Sequence, residues 1–196
     1  MSLAISMFFI FSGSVLLSVL FKKTVEDAIP MTIMSIILIL YAFYCFDLLI
    51  WGFYLVIALA ILGYLSVVYL IKKVGIQQSW QQLKTCLITP GLLVFLLVCA
   101  AIYIFTSGNL VSLWDELRLW GAYPKALYYT DALQLGESAI LYDVMQSYPP
   151  GMPLFVYFIE KCHQSFHESH IFFAYGLFGC SLFLPALKKL QRKDGW

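Results

Sequence analysis

A run of 41 residues from Met31 to Ile71 contains a single charged side chain, Asp47, and is otherwise predominantly apolar. A helix needs roughly 20 apolar residues to cross a hydrocarbon layer about 30 Å thick, so this run is long enough for two crossings. Strands of a membrane barrel would instead alternate polar and apolar residues in segments of about ten. We therefore predict an all-α fold with two spanning helices joined by a tight turn, and we interpret Asp47 as a turn residue at the lipid headgroups rather than an ion-binding carboxylate.

The rest of the chain is equally apolar. Hydrophobic residues make up 62% of the 196 residues and charged residues 12%, a composition that excludes an ordinary soluble domain. Clusters of Lys and Arg at 22–23, 72–84 and 188–193 mark the cytoplasmic ends of helices by the positive-inside rule. We predict a polytopic membrane protein with a single membrane domain and about five spans, at 3–21, 30–46, 48–71, 85–105 and 171–187.

The segment 107–169, between the fourth and fifth predicted spans, holds seven of the eleven acidic residues and only three Lys or Arg residues. We expect this net acidic segment to form an external loop. Within it, the stretch from Met152 to about Phe166 is too short to cross the membrane, and a crossing there would place the basic cluster at 188–193 outside. We therefore predict that this stretch is an amphipathic helix on the outer membrane surface.

Asp115 and Glu116 follow the fourth predicted span and lie between Trp114 and Trp120. Two adjacent carboxylates at a membrane surface could bind a divalent cation, or one of them could act as a general base. The pair also fits the solvated start of a helix, where acidic residues are favourable. The residues alone leave these alternatives open.

A proline turn precedes the predicted surface helix, with the sequence Tyr148-Pro149-Pro150-Gly151-Met152-Pro153. Three prolines in five positions restrict the backbone and remove hydrogen-bond donors. The turn is either a stiff entry to the helix or a platform that presents Tyr148 and the Gly151 backbone to a ligand.

A polar cluster covers the end of the same helix and the residues after it, and consists of Glu160, Cys162, His163, His167, Glu168 and His170. Its spacing is compatible with a metal site. The glutamate that a zinc protease motif requires after its first histidine is absent. We interpret these side chains as polar residues that face the headgroups.

Taken together, these features resemble the first external loop of the GT-C glycosyltransferases, in particular the protein O-mannosyltransferases and the lipid A aminoarabinose transferases. In that pattern a span ends in an acidic pair and continues into an amphipathic helix with a Gly and a Lys. A proline turn then opens a second surface helix, which precedes a span ending in basic residues. The corresponding parts here are Asp115-Glu116, Gly121 with Lys125, the turn 148–154 and the segment 171–192. Tyr148 stands where the mannosyltransferases have a histidine.

The resemblance implies inverting transfer of a sugar from a polyprenyl-phosphate donor to an acceptor at the outer face of a bacterial plasma membrane. Asp115 would act as the general base or would hold a divalent cation, Mg²⁺ or Mn²⁺, and Glu116 would assist. The residues implied to bind substrate are Lys125, which would meet the lipid phosphate, and Tyr148, Pro149, Pro150 and Gly151. The expected partners are the polyprenyl-phosphate sugar and the lipid bilayer, and no nucleic acid.

The family pattern continues with further spans beyond the position of Lys193, and this sequence ends at Trp196. We therefore expect a chain that is incomplete at its C-terminus, or one whose missing spans come from a membrane protein partner. The competing hypothesis is a non-catalytic membrane subunit or transporter-like fragment, whose loop only binds lipid or a partner.

Overall fold

A computed structural model of the chain describes residues 3–75, 89–113, 115, 120–132, 149–163 and 165–193. Within these ranges, every regular element is a helix. The helices are α1 (Leu3–Phe21), α2 (Val25–Tyr44), α3 (Leu49–Val74), α4 (Pro90–Thr106), α5 (Ala122–Thr130), α6 (Gly151–Lys161) and α7 (Glu168–Lys193). The predicted all-α fold is confirmed.

Four helices of the described chain are long and apolar enough to cross a membrane: α1, α2, α3 over Leu49–Lys73 and α7 over Glu168–Leu187. They coincide with four of the five predicted spans, so the architecture of an all-α polytopic membrane protein is confirmed. The remaining predicted span, the fourth at 85–105, corresponds to α4, which is apolar but has 17 residues. The number of crossings stays a prediction.

The turn between α2 and α3 lies where the single charge of the long apolar run predicted it. Asp47 has a φ of 56°, in the left-handed region, and the N–H of Leu48 donates to the carbonyl of Phe43 at 3.0 Å. Aspartate tolerates the left-handed conformation better than most residues. The turn makes α2 and α3 adjacent antiparallel helices.

Two helices begin at other residues than the predicted spans at 30–46 and 85–105, and each difference involves a proline. The second helix begins at Val25, so Pro30 lies inside it and not in its first turn. Pro90 opens α4 instead of interrupting a helix that begins at residue 85, because Thr89 caps α4 by accepting the N–H of Leu92 at 3.2 Å. Proline is favourable in a first turn, where its missing N–H would have no partner in the helix.

Helix α6 lies inside the bundle, where it packs against α2, α5 and α7. Its residues from Leu154 to Phe158 are completely buried. A helix that is apolar around its whole circumference is typically covered on all sides. The prediction of an amphipathic surface helix is therefore wrong for this segment, because neighbouring helices cover the face that was expected to meet water.

Helix α5 is amphipathic, as the family resemblance implied for the first helix of the loop. Tyr123, Pro124 and Leu127 are buried, whereas Lys125 and Tyr129 are exposed. The buried face packs on α6. This packing brings the segment that follows the acidic pair close to the segment that follows the proline turn.

Candidate functional site

A cavity of about 360 Å³ lies where the start of α5, the proline turn and α7 meet. Its described lining is aromatic and apolar and consists of Trp120, Tyr123, Pro149, Gly151, Met152, Pro153 and Tyr175. Small-molecule sites are typically roughly 300–1,000 Å³ in volume and mostly apolar, with a few polar groups that orient the ligand. The cavity has the size and the lining of such a site.

Tyr123 is held in the cavity wall by a contact with another helix. Its hydroxyl lies 2.7 Å from the hydroxyl of Tyr44, the last residue of α2, and either oxygen can be the donor. Burial raises the pKa of Tyr123, so the phenol stays neutral at ordinary pH. The hydrogen bond fixes the start of α5 relative to the end of α2.

The proline turn contributes two of the predicted substrate-binding residues, Pro149 and Gly151, to the cavity. Pro150 starts α6, because its carbonyl accepts the N–H of Leu154 at 2.9 Å, and it does not appear in the described lining. A Cβ atom added at Gly151 would lie 3.7 Å from the side chain of Ile37, an ordinary contact. Glycine is therefore not required there for packing.

Lys125 lies beside the first turn of α7 and outside the described lining of the cavity. Its side chain is 53% exposed, and its Nζ is 4.0 Å from Oε1 of Glu168. The other oxygen of Glu168 accepts the N–H of Val111 at 2.9 Å. A long ion pair between exposed groups contributes little to stability, typically about 0.2–1 kcal/mol.

The structure leaves the acidic pair only partly described. Asp115 is exposed, whereas Glu116 and Tyr148 lie outside the described residues. Among the described residues, no group of three or more His, Cys, Asp or Glu side chains is arranged to hold a metal ion. The metal role of Asp115 and the base role of the pair stay predictions.

A polar network that the sequence analysis did not identify joins the end of α5 to α6. Nζ of Lys161 is 2.7 Å from Oδ1 of Asp131, and the hydroxyl of Tyr157 donates to the same oxygen at 2.7 Å. The Lys161 ammonium also lies 5.2 Å from the ring centroid of Tyr128, within the range of a cation–π contact. No short motif predicts a pair separated by thirty positions, so sequence pattern gave no signal for it.

The chain has three histidines, and all three lie together at the turn between α6 and α7. The ring centroids of His163, His167 and His170 are 4.7 to 5.1 Å apart, and the Ser165 hydroxyl lies 2.8 Å from Nε2 of His167. Burial and the two neighbouring histidines lower the pKa of His163. The structure therefore confirms that the three histidines form a cluster, and the interpretation that they face the headgroups stays a prediction.

A buried carboxylate anchors this histidine cluster. Glu160 is fully buried, and the backbone N–H of His167 donates to both of its oxygens at 3.3 Å. Nδ1 of His170 is also 3.3 Å from Oε1 of Glu160, although the two atoms are not aligned for a hydrogen bond. Glu160 therefore ties the end of α6 to the start of α7.

Comparisons of the chain with protein-family models, with curated proteins and with solved structures give no match. The function is therefore inferred from the residues of the chain and from the geometry of the cavity.

Proposed function

We propose that this chain is a membrane glycosyltransferase of the GT-C type, which transfers a sugar from a polyprenyl-phosphate donor to an acceptor. The observation that supports the proposal is the cavity of about 360 Å³. Three separate parts of the chain that resemble the family pattern meet there: the segment after the acidic pair, the proline turn and the closing helix. Nothing in their separate sequences requires them to border one cavity.

The lining of the cavity suits a sugar. Trp120, Tyr123 and Tyr175 offer aromatic surfaces, and the prolines add rigid apolar contacts. No charged side chain occurs among the described lining residues. A neutral ring with hydroxyl groups fits this surface better than an anion, since burying an unpaired charge is costly.

In this proposal, Lys125 meets the phosphate of the donor outside the cavity. Its contact with Glu168 is 4.0 Å long and exposed, so a lipid phosphate can replace that contact at little cost. A compact ammonium suits a phosphate oxygen. Asp115, which is exposed on the same loop, is the proposed general base for the acceptor hydroxyl, or the ligand of a divalent cation that orients it.

The proposed enzyme would lie in the plasma membrane of a bacterium. The chain would cross a bacterial plasma membrane several times, with the loop 107–169 on the outer face. The clusters of Lys and Arg at 22–23, 72–84 and 188–193 support this orientation because basic residues favour the cytoplasmic side.

The test is sugar transfer in membranes that contain the chain and a radiolabelled polyprenyl-phosphate sugar pool. We expect Asp115→Asn to abolish transfer. Asp47→Asn is the matched control, since it makes the same change at another exposed aspartate, and asparagine also accepts the left-handed conformation found there. Equal transfer by the wild type and Asp115→Asn would show that the base assignment is wrong.

Wild-type membranes that transfer no more sugar than membranes without the chain would contradict the enzyme itself. The non-catalytic alternative predicts a different pattern, in which Asp115→Asn changes assembly with a partner and no transfer is observed in either form. Native gel mobility of the detergent-solubilised protein measures that assembly directly.

A further inference from the structure

Tyr175, in α7, has a hydroxyl oxygen that is buried and makes no hydrogen bond within the described part of the chain. Buried hydroxyl groups in native proteins nearly always have a partner, because leaving one unpaired costs free energy. An unpaired group of this kind calls for an explanation. Tyr175 also borders the cavity of about 360 Å³, so a ligand in that cavity can become the missing partner once the side chains that cover the hydroxyl move aside.

Tyr175 and Trp120 together separate two cavities. Their ring centroids are 5.1 Å apart and their planes meet at 77°, so the rings pack edge to face. Both residues border the cavity of about 360 Å³ and a second cavity of about 260 Å³, which Ile171 and Phe172 complete. Trp120 is 44% exposed, so this pair of rings is open to solvent, and to an entering ligand, on the Trp120 side.

We infer that Tyr175 is a positioning residue whose hydroxyl donates a hydrogen bond to an oxygen of a bound sugar ring, while Trp120 covers the face of that ring. This inference rests on the proposed function. A sugar supplies a partner for both residues: an acceptor oxygen for the hydroxyl of Tyr175, and a flat ring face for the indole of Trp120. The phosphate of the donor does not belong there, because the described lining offers it no cation.

The same tyrosine-to-phenylalanine change at two positions separates a ligand-binding hydroxyl from a structural one. Tyr123→Phe removes a hydroxyl that is bonded to Tyr44 at 2.7 Å, so it should lower the thermal stability of the ligand-free protein. Tyr175→Phe removes an unpaired hydroxyl, so it should leave that stability unchanged or raise it. A loss of stability in Tyr175→Phe as large as that in Tyr123→Phe would overturn the inference.

Binding provides the second measurement. The full chain in lipid nanodiscs is titrated with polyprenyl phosphates that carry mannose, glucose or 4-aminoarabinose, and with bare polyprenyl phosphate. Tyr175→Phe loses one hydrogen bond to the sugar, so this variant should bind the preferred sugar lipid about five-fold more weakly than the wild type does. Its affinity for bare polyprenyl phosphate should equal that of the wild type. Equal affinities of the wild type and Tyr175→Phe for the sugar lipid, or equal weakening for both kinds of lipid, would overturn the inference.

The outcomes also separate this inference from the proposed function. A wild type that binds none of the sugar lipids better than bare polyprenyl phosphate would contradict both. A wild type that prefers one sugar lipid, together with a Tyr175→Phe variant that keeps the full preference, would contradict the role of Tyr175 alone.

Discussion

The contact between Asp131 and Lys161 should stabilise the protein far more than the contact between Lys125 and Glu168. Both contacts join α5 to a neighbouring helix near the candidate site, and both pair a lysine with a carboxylate. They differ in length, 2.7 Å against 4.0 Å, and in the exposure of the lysine, 19% for Lys161 against 53% for Lys125, whereas the two carboxylates are equally exposed. Asp131 also accepts the hydroxyl of Tyr157, so its carboxylate is held from two sides.

The expected magnitudes follow from this geometry. A short hydrogen bond between oppositely charged groups, one of which is mostly buried, contributes about 1.5–3 kcal/mol. A long contact between exposed groups contributes about 0.2–1 kcal/mol, because solvent screens the charges and two long side chains lose freedom. The coupling energy for Asp131 and Lys161 should therefore exceed that for Lys125 and Glu168 by about 0.5–3 kcal/mol.

Two double-mutant cycles measure these energies. The first uses Asp131→Asn and Lys161→Met, and the second uses Glu168→Gln and Lys125→Met. Each cycle isolates the pair from the other contacts of its members, such as the packing of Lys161 on Tyr128. The readout is the free energy of unfolding in detergent micelles, followed by circular dichroism. Coupling in the first cycle equal to or smaller than coupling in the second would refute the reasoning.

Three further predictions concern α6 and the turns around it. Phe158→Ala, at a fully buried position of α6, should lower the free energy of unfolding by about 3–5 kcal/mol. The control Phe183→Ala, at a residue 72% exposed on α7, should change it by about 0.5 kcal/mol or less. Similar values for the two variants would mean that α6 is not enclosed. The pKa of His163 is lowered in the folded state, so the unfolded state binds more protons as the pH falls below about 6.5. The free energy of unfolding should therefore be lower at pH 5.5 than at pH 7.5, and His163→Gln should reduce that difference. A pH dependence that the substitution leaves unchanged would contradict this prediction. Gly151→Ala should fold and express normally in membranes. Gly63→Ala should not, because the added Cβ at position 63 of α3 would collide with a backbone carbonyl of α1. Equal expression of the two variants would show that the close packing of α1 on α3 is wrong.

The parts of the fold that sequence predicted correctly depend on local pattern. The long apolar run with Asp47 near its middle contains enough residues for two spans and one residue suited to a turn, and the structure has α2, α3 and the turn there. Thr89 and Pro90 also form a recognisable helix start, although the prediction placed a span across them. Signals of this kind involve residues close together in the chain.

The parts that sequence did not predict depend on contacts between distant residues. The segment 151–161 is apolar enough to be buried, yet its sequence does not say whether lipid, water or other helices cover it. The pairing of Asp131 with Lys161 and the unpaired hydroxyl of Tyr175 are likewise products of packing. For the candidate site, sequence named Pro149 and Gly151, which line the cavity, but gave no indication that Tyr175 would face them.

The central claim is that a polyprenyl-phosphate sugar binds with its sugar in the cavity between α5, the proline turn and α7. Photocrosslinking tests this claim most directly, using a donor lipid with a photoreactive group on the sugar and mass spectrometry of the labelled peptides. We expect labels on the peptides that contain Trp120 and Tyr123, the turn at Pro149–Pro153, and Tyr175. Labels confined to the lipid-exposed surfaces of α3 and α4, with none at the cavity, would contradict it.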